Sequence, residues 1–145
     1  MQELGVINNR TLIYQKHDLN ENWAKTMLIE NWLLIVIIND KSQNILDEIS
    51  RKAIDNNVCY VCCIGKQAEL LHDMIDEEVV FREVDIEDHH LPSFDINTTW
   101  HQDLSEGLWF AIYAANHLTE KINKILCLDA SHASYDSIKH TIYKL

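Results

Sequence analysis

The chain has 145 residues, the size of one domain, and can bury a core without disulfides or a structural metal. Apolar residues make up 47% of it and charged residues 24%, which excludes a disordered tail. Against 12 Lys and Arg stand 23 Asp and Glu; the net charge of −11 repels phosphate backbones and anionic membranes and attracts cations and basic proteins.

No basic stretch followed by an apolar one opens the chain, so no signal peptide is expected. The longest apolar run, residues 32–38, is too short to span a bilayer. Cys59, Cys62 and Cys63 lie within one apolar run and Cys127 within another, unlike the loop positions of a disulfide framework. A reducing cytoplasm fits this usage.

One domain over 1–145 is expected, with no repeat and no Gly/Ser/Pro linker. In chain order, residues 11–14 suit an edge strand, and Trp23, Met27 and Leu28 suit a short helix. Residues 32–38 are continuously apolar and β-branched, the pattern of a strand buried on both faces. Ser42 then offers an N-cap, Ile45, Leu46, Ile49, Ala53 and Ile54 share one helical face, and Asn56-Asn57 closes the helix. Residues 58–64 predict a second buried strand ending at Gly65, followed by a helix with Ala68, Leu70, Leu71, Met74 and Ile75 inward. A third strand is expected over 79–84 and an acidic loop over 85–90. An extended piece, 95–100, leads into a helix over 104–118, with Asp103 and Glu106 at capping-box spacing and Leu104, Leu108, Ile112, Ala115 and Leu118 as its stripe. Residues 124–128 make the last strand, before a C-terminal helix carrying Ile138 and Ile142. This alternation predicts an α/β three-layer sandwich: a mostly parallel sheet of four to five strands with three to four helices.

In open parallel sheets ligands sit beyond the carboxyl ends of the strands. The strand exits carry Asn39 and Asp40, Gly65 and Lys66, the 85–90 loop, His101 with Asp103, and Asp129 with His132. The last four are candidate acid/base groups, although loops after strands are polar anyway and Asp there commonly caps a helix. The nearby Ser105, Ser131 and Ser134 do not sit in a G-x-S-x-G elbow. His89 and His90 beside Asp88 invite a metal, but adjacent histidines point different ways and no further ligand completes a set, so a solvated loop and no metal are expected. Cys59 and Cys62 match C-x-x-C, but in mid-strand residues three apart face opposite ways, which predicts inert thiols. No glycine-rich phosphate cradle occurs, so no nucleotide cofactor is expected. Trp32 and Trp109 are expected in the core, whereas Trp23 and Trp100 are candidate anchors for a partner.

Thr98-Thr99-Trp100-His101, then Leu108-Trp109-Phe110-Ala111, together with the apolar first strand and the Cys/Tyr-rich second, resemble an uncharacterised family of small bacterial α/β proteins. The resemblance runs from Trp32 to Asp129 and implies no activity. The overall profile, small and acidic without a catalytic motif, is similar to that of bacterial immunity proteins, which cover the active or substrate-binding surfaces of toxins, often basic nucleases.

The expected function is therefore binding of a basic protein, such as a cognate toxin, with no nucleic-acid or membrane partner. Asp76, Glu77, Glu78, Glu83, Asp85, Glu87, Asp88 and Trp100 are the expected contact residues. The alternative is an enzyme or small-ligand binder built on His101, Asp103, Asp129 and His132.

Overall fold

The computed structural model describes residues 1–25, 30–85 and 89–145. Strands β1 (Gln2–Ile7), β2 (Arg10–Lys16) and β3 (Trp32–Ile38) lead to helix α1 (Gln43–Asp55), strand β4 (Tyr60–Ile64) and helix α2 (Ala68–Val84). Strand β5 (Asn97–His101) follows, then helix α3 (Leu104–Trp109), which runs on as a π-helical turn over Phe110–Ala114, strand β6 (Lys124–Ala130) and helix α4 (Tyr135–Tyr143). One six-stranded sheet has the order β1-β2-β6-β3-β4-β5, parallel except for the antiparallel β1–β2 pair. The mixed α/β class and the mostly parallel sheet are as expected; the strand count is higher.

Every residue of β3 is buried, as its unbroken apolar run requires. Its side chains alternate between two cores. Leu33, Ile35 and Ile37 join Tyr60, Cys62, Leu108, Ile112 and Ile138, whereas Leu34, Val36 and Ile38 join Val61, Cys63, Leu46, Ile49 and Leu71. One core thus takes its helical residues from α3, the π-helical turn and α4, the other from α1 and α2.

Turn chemistry fixes the ends. Asn8 and Asn9 both have positive φ, 52° and 61°, and join Ile7 to its partner Arg10, the geometry of a two-residue hairpin turn. At the end of α1, Asn57 takes φ 60° while its N–H and that of Val58 donate to the carbonyls of Ile54 and Ala53, closing the helix as its Asn-Asn sequence suggests. The buried Arg10 guanidinium donates to the carbonyls of Ala111 (2.6 Å) and Ala115 (2.5 Å) at the C-terminal end of the π-helical turn. Charge and helix dipole agree there, and carbonyls freed by the π turn find a donor.

Six expectations need correction. Residues 11–14, expected as an edge strand, lie in β2, which is paired on both sides, by β1 and by β6. Leu70, expected inward on its helix, is exposed. Residues 79–84 are the last part of α2 and not a strand. The helix continues because Arg82, four residues after Glu78, is drawn under its surface and bonds Glu78 (3.1 Å), Asp55 (2.6 Å) and the His90 carbonyl (2.9 Å). Val80, Phe81 and Val84, which a buried strand would hide, are exposed. The helix expected over 104–118 stops earlier, at the π turn that ends with Ala114, and leaves Leu118 fully exposed. Trp109 is half exposed and Trp23 fully buried, the reverse of their expected placement; the Trp23 indole N–H donates to Glu48 at 3.1 Å. Cys59 precedes the first residue of β4, so the alternation does not govern it, and it shares a core with Cys62 while Cys63 lies in the other. Met27 and Leu28 of the expected short helix lie outside the described residues.

Candidate functional site

The chain lays β4 and β5 on one side of β3 and then crosses to place β6 on the other. The strand order therefore reverses between β3 and β6, and their carboxyl ends open where such sheets hold ligands. Asp40 lies beyond β3 and His132 beyond β6; the Asp40 carboxylate, which can only accept, lies 2.6 Å from His132 Nε2 and assigns that nitrogen the proton. His132 has φ 64°, a left-handed conformation that aims its ring across the gap. Asn39 Oδ1 accepts the Lys66 N–H at 3.1 Å. At Gly65, with φ 113°, an added Cβ would lie 2.6 Å from the Ile38 carbonyl oxygen, so only glycine lets β4 turn here.

Asp129 is buried and fully engaged, accepting from the Tyr14 hydroxyl (2.5 Å), the Ser131 hydroxyl (2.5 Å) and the Ser131 N–H (3.0 Å). Burial and the Asp129 carboxylate push the Tyr14 pKa well up, so the phenol remains a donor. His132 is thus partnered by Asp40, while Asp129 serves β2 and the turn after β6. His101 and Asp103 stand elsewhere. β5 is three strand positions from β6, on the order of 14 Å. His101 Nε2 lies 3.2 Å from Thr99 Oγ1 and its ring packs 4.9 Å from Phe110; burial pulls its pKa below the ordinary value, against the opposing pull of Glu106. Asp103 accepts the Glu106 N–H at 2.8 Å and caps α3. Ser134 caps α4 by accepting the Ser137 N–H at 3.1 Å. The four acid/base candidates therefore form two separated groups.

His89 and His90 diverge. His89 Nδ1 lies 2.6 Å from Asp85 and its ring against Phe81, whereas His90 Nε2 lies 2.6 Å from Asn57 Oδ1. Among the described residues no group of three His, Cys, Asp or Glu side chains is placed to hold a metal ion. Burial pushes the Cys59 thiol up to about 11 and the Cys62 thiol up to about 12, which keeps both protonated and unreactive.

Four of the acidic candidates, Asp76, Glu77, Glu78 and Glu83, lie on α2. Asp76 on α2 accepts from Thr98 Oγ1 on β5 at 2.8 Å, which ties the helix to the face of β5 that also carries Trp100. Glu78 is held by Arg82 and Asp85 by His89, while Glu77 and Glu83 are exposed. Trp100 is 41% exposed and Phe81 51%. Glu87 and Asp88 lie outside the described residues. The charge itself is segregated. Residues 67–120 hold thirteen of the 23 acidic residues and, in Arg82, one of the 12 basic ones, a net −12; the rest of the chain, eleven basic against ten acidic, sums to +1. That segment holds α2, β5 and α3 with their connections, and runs from α2 beside β5 to the loop after the π-helical turn, which meets the β1–β2 hairpin at Arg10. Its scarcity of Lys and Arg is the signal in the sequence that marks this segment.

Open clefts of about 490 and 270 Å³ adjoin the same region, lined by Phe94, Asp95, His117 and Glu120 and by Val79, Glu83, Pro92 and Ile96. No helix of the described residues is long and apolar enough to cross a membrane.

No curated protein and no solved structure matches the chain. Residues 11–144, from β2 to α4, match one family along their whole length, so the chain belongs to the family described as Domain of unknown function (DUF7684).

Proposed function

We propose that the chain is an acidic protein-binding domain, an immunity-type protein that neutralises a basic toxin, such as a nuclease, by covering its active or substrate-binding surface. The observation that carries this reading is the net −12 of residues 67–120, with six of the segment's thirteen acidic residues on α2 and the exposed aromatics Phe81 on that helix and Trp100 on β5 beside it. A concentrated field of one sign speeds encounter with the opposite sign, and aromatic anchors hold the complex once formed. The same reading places the chain in a bacterial cytoplasm, where four buried, unpaired thiols stay reduced. It also takes the fold as a three-layer sandwich, supported by the two cores on the alternate residues of β3.

Co-expression with the product of each neighbouring gene, followed by calorimetry at about 50 and 300 mM salt, tests it. One basic protein is expected to bind, more weakly at the higher salt, and to lose its activity in the complex. If no neighbour binds even at low salt, the proposal fails.

One observation favours a second reading, small-ligand binding at the carboxyl edge: the Asp40–His132 pair spans the point where the strand order reverses. A thermal-shift screen of small polar metabolites separates the two. Compounds that stabilise the natural chain and not Asp40→Asn would support it.

A further inference from the structure

The two edges of the sheet are built differently. β1, at one edge, has a register break between Glu3 and Gly5, with Gly5 at φ 109°, an irregularity that discourages a further strand from pairing. β5, at the other edge, pairs regularly from Asn97 to His101 and contains neither Pro nor Lys nor a bulge. Its Asn-Thr-Thr-Trp-His sequence is rich in residues that favour strands. The Asn97 N–H donates to Cys59 and the His101 carbonyl accepts from Gly65, both across the β4 side. By the parallel pattern Asn97, Thr99 and His101 turn their backbone groups inward, and Thr98 and Trp100 turn theirs outward. Among the described residues no strand pairs with that outer side.

We propose that the outer edge of β5 is a strand-addition site for a basic, extended segment of the protein partner. The inference rests on the binding role proposed above and names where and how the partner is held. Charge selects the occupant. Carboxylates bracket the edge: Asp73 and Asp76 on α2, which flank the His72 ring at 3.0 and 3.6 Å, Asp95 before β5, and Asp103 and Glu106 after it. Arg82, the single Lys or Arg in residues 67–120, is buried between Asp55 and Glu78 and screens none of them. A second copy of the chain would bring the same net −12 against itself, whereas Lys or Arg at alternate positions of an added strand would face the carboxylates. Trp100, 41% exposed on the α2 side, gives an arginine a ring to lie against. Backbone pairing supplies affinity and the side-chain alternation supplies selectivity, as in strand addition generally.

The test uses the full chain and a synthetic peptide of about eight residues alternating Arg and Thr. Hydrogen exchange is read at the Thr98 and Trp100 amides, and affinity by fluorescence. Binding is expected to protect both amides. Methylation of alternate peptide nitrogens is expected to weaken binding at least about tenfold, because it removes strand donors and keeps the charge. Thr98→Pro, which removes an outward N–H and the bond to Asp76 but no ladder bond, is expected to do the same. Thr98→Val, which removes the Asp76 bond alone, is expected to keep binding, and a peptide with Glu in place of Arg is expected not to bind. The proposal is overturned if the basic peptide does not bind at low salt, or binds equally well when methylated. Protection that arises without peptide, together with a doubled solution mass, also overturns it in favour of a second copy. A basic protein partner that leaves both amides unprotected overturns the edge site and leaves the binding role standing. Strand addition of the peptide in the absence of any basic protein partner supports the edge and removes the toxin-inhibitor reading.

Discussion

Two side chains show how much single residues hold in place. Arg10 is buried and spans from the N-terminal hairpin to the end of the π-helical turn through the Ala111 and Ala115 carbonyls. Arg10→Ala removes a charged donor and leaves buried carbonyls unpaired, so a loss of about 3 kcal/mol is expected in urea unfolding. Arg10→Lys keeps the charge without the fork that reaches both carbonyls, and should fall between the two. Glu48 accepts from His17 (2.9 Å), Lys52 (2.9 Å) and Trp23 (3.1 Å). Burial pushes its pKa up, but those hydrogen bonds outweigh burial and hold it below the usual carboxylate value. Folding therefore releases protons near that value. The stabilisation is complete above the unfolded pKa and is lost as pH falls through the folded one. Melting curves taken from about pH 5 down to 3 should drop more steeply for the natural chain than for Glu48→Gln. Neither residue stands out in the sequence, because Arg10 and Glu48 sit in ordinary polar surroundings and, Lys52 apart, their partners lie far along the chain.

At the level of elements, legibility followed burial on both faces. β3, β4 and β6 announce themselves as apolar runs because their alternate residues feed two separate cores, and the Asp103 cap was readable because capping is local. β1 was missed: an edge strand with a bulge has no regular alternation to display. The end of α2 imitates a strand, since Val79, Val80, Phe81 and Val84 are β-formers, and the distant Asp55, with Glu78 and the His90 carbonyl, holds Arg82 inward there. Close packing is equally silent in sequence. An added Cβ at Gly107 would lie 2.6 Å from Ile64 Cδ1 and Cγ1, so α3 rests directly on β4. Gly107→Ala must push α3 outward, against any gain in helix propensity, and is expected to cost about 1–3 kcal/mol in thermal unfolding.

For the whole molecule, the candidate acid/base groups were legible as strand exits but not as groupings, since strand order decides which exits meet. That order separates His101 and Asp103 from Asp129 and His132 and brings Asp40 to His132 instead. Asp76, Glu77, Glu78 and Glu83 differ in this respect, because all four lie on α2 and continuity along a helix keeps neighbours in sequence neighbours in space. Glu77 and Glu83 are exposed on that helix. The double variant Glu77→Lys, Glu83→Lys is expected to leave stability within about 0.5 kcal/mol of the natural chain. Under the proposed binding role it should slow association with a basic protein partner about tenfold at low salt, and less at high salt, in stopped-flow traces. Equal slowing at both salts would place the effect in direct contacts and not in the field.

Helix α2, with six carboxylates against one buried arginine and tied to β5 through Asp76 and Thr98, gives that flank of the sheet an uneven charge. A cation-rich surface exerts a torque on such a body before touching it. Under the proposed binding role the molecule would be turned α2-first while still separated by water, so that random tumbling becomes approach with one flank forward.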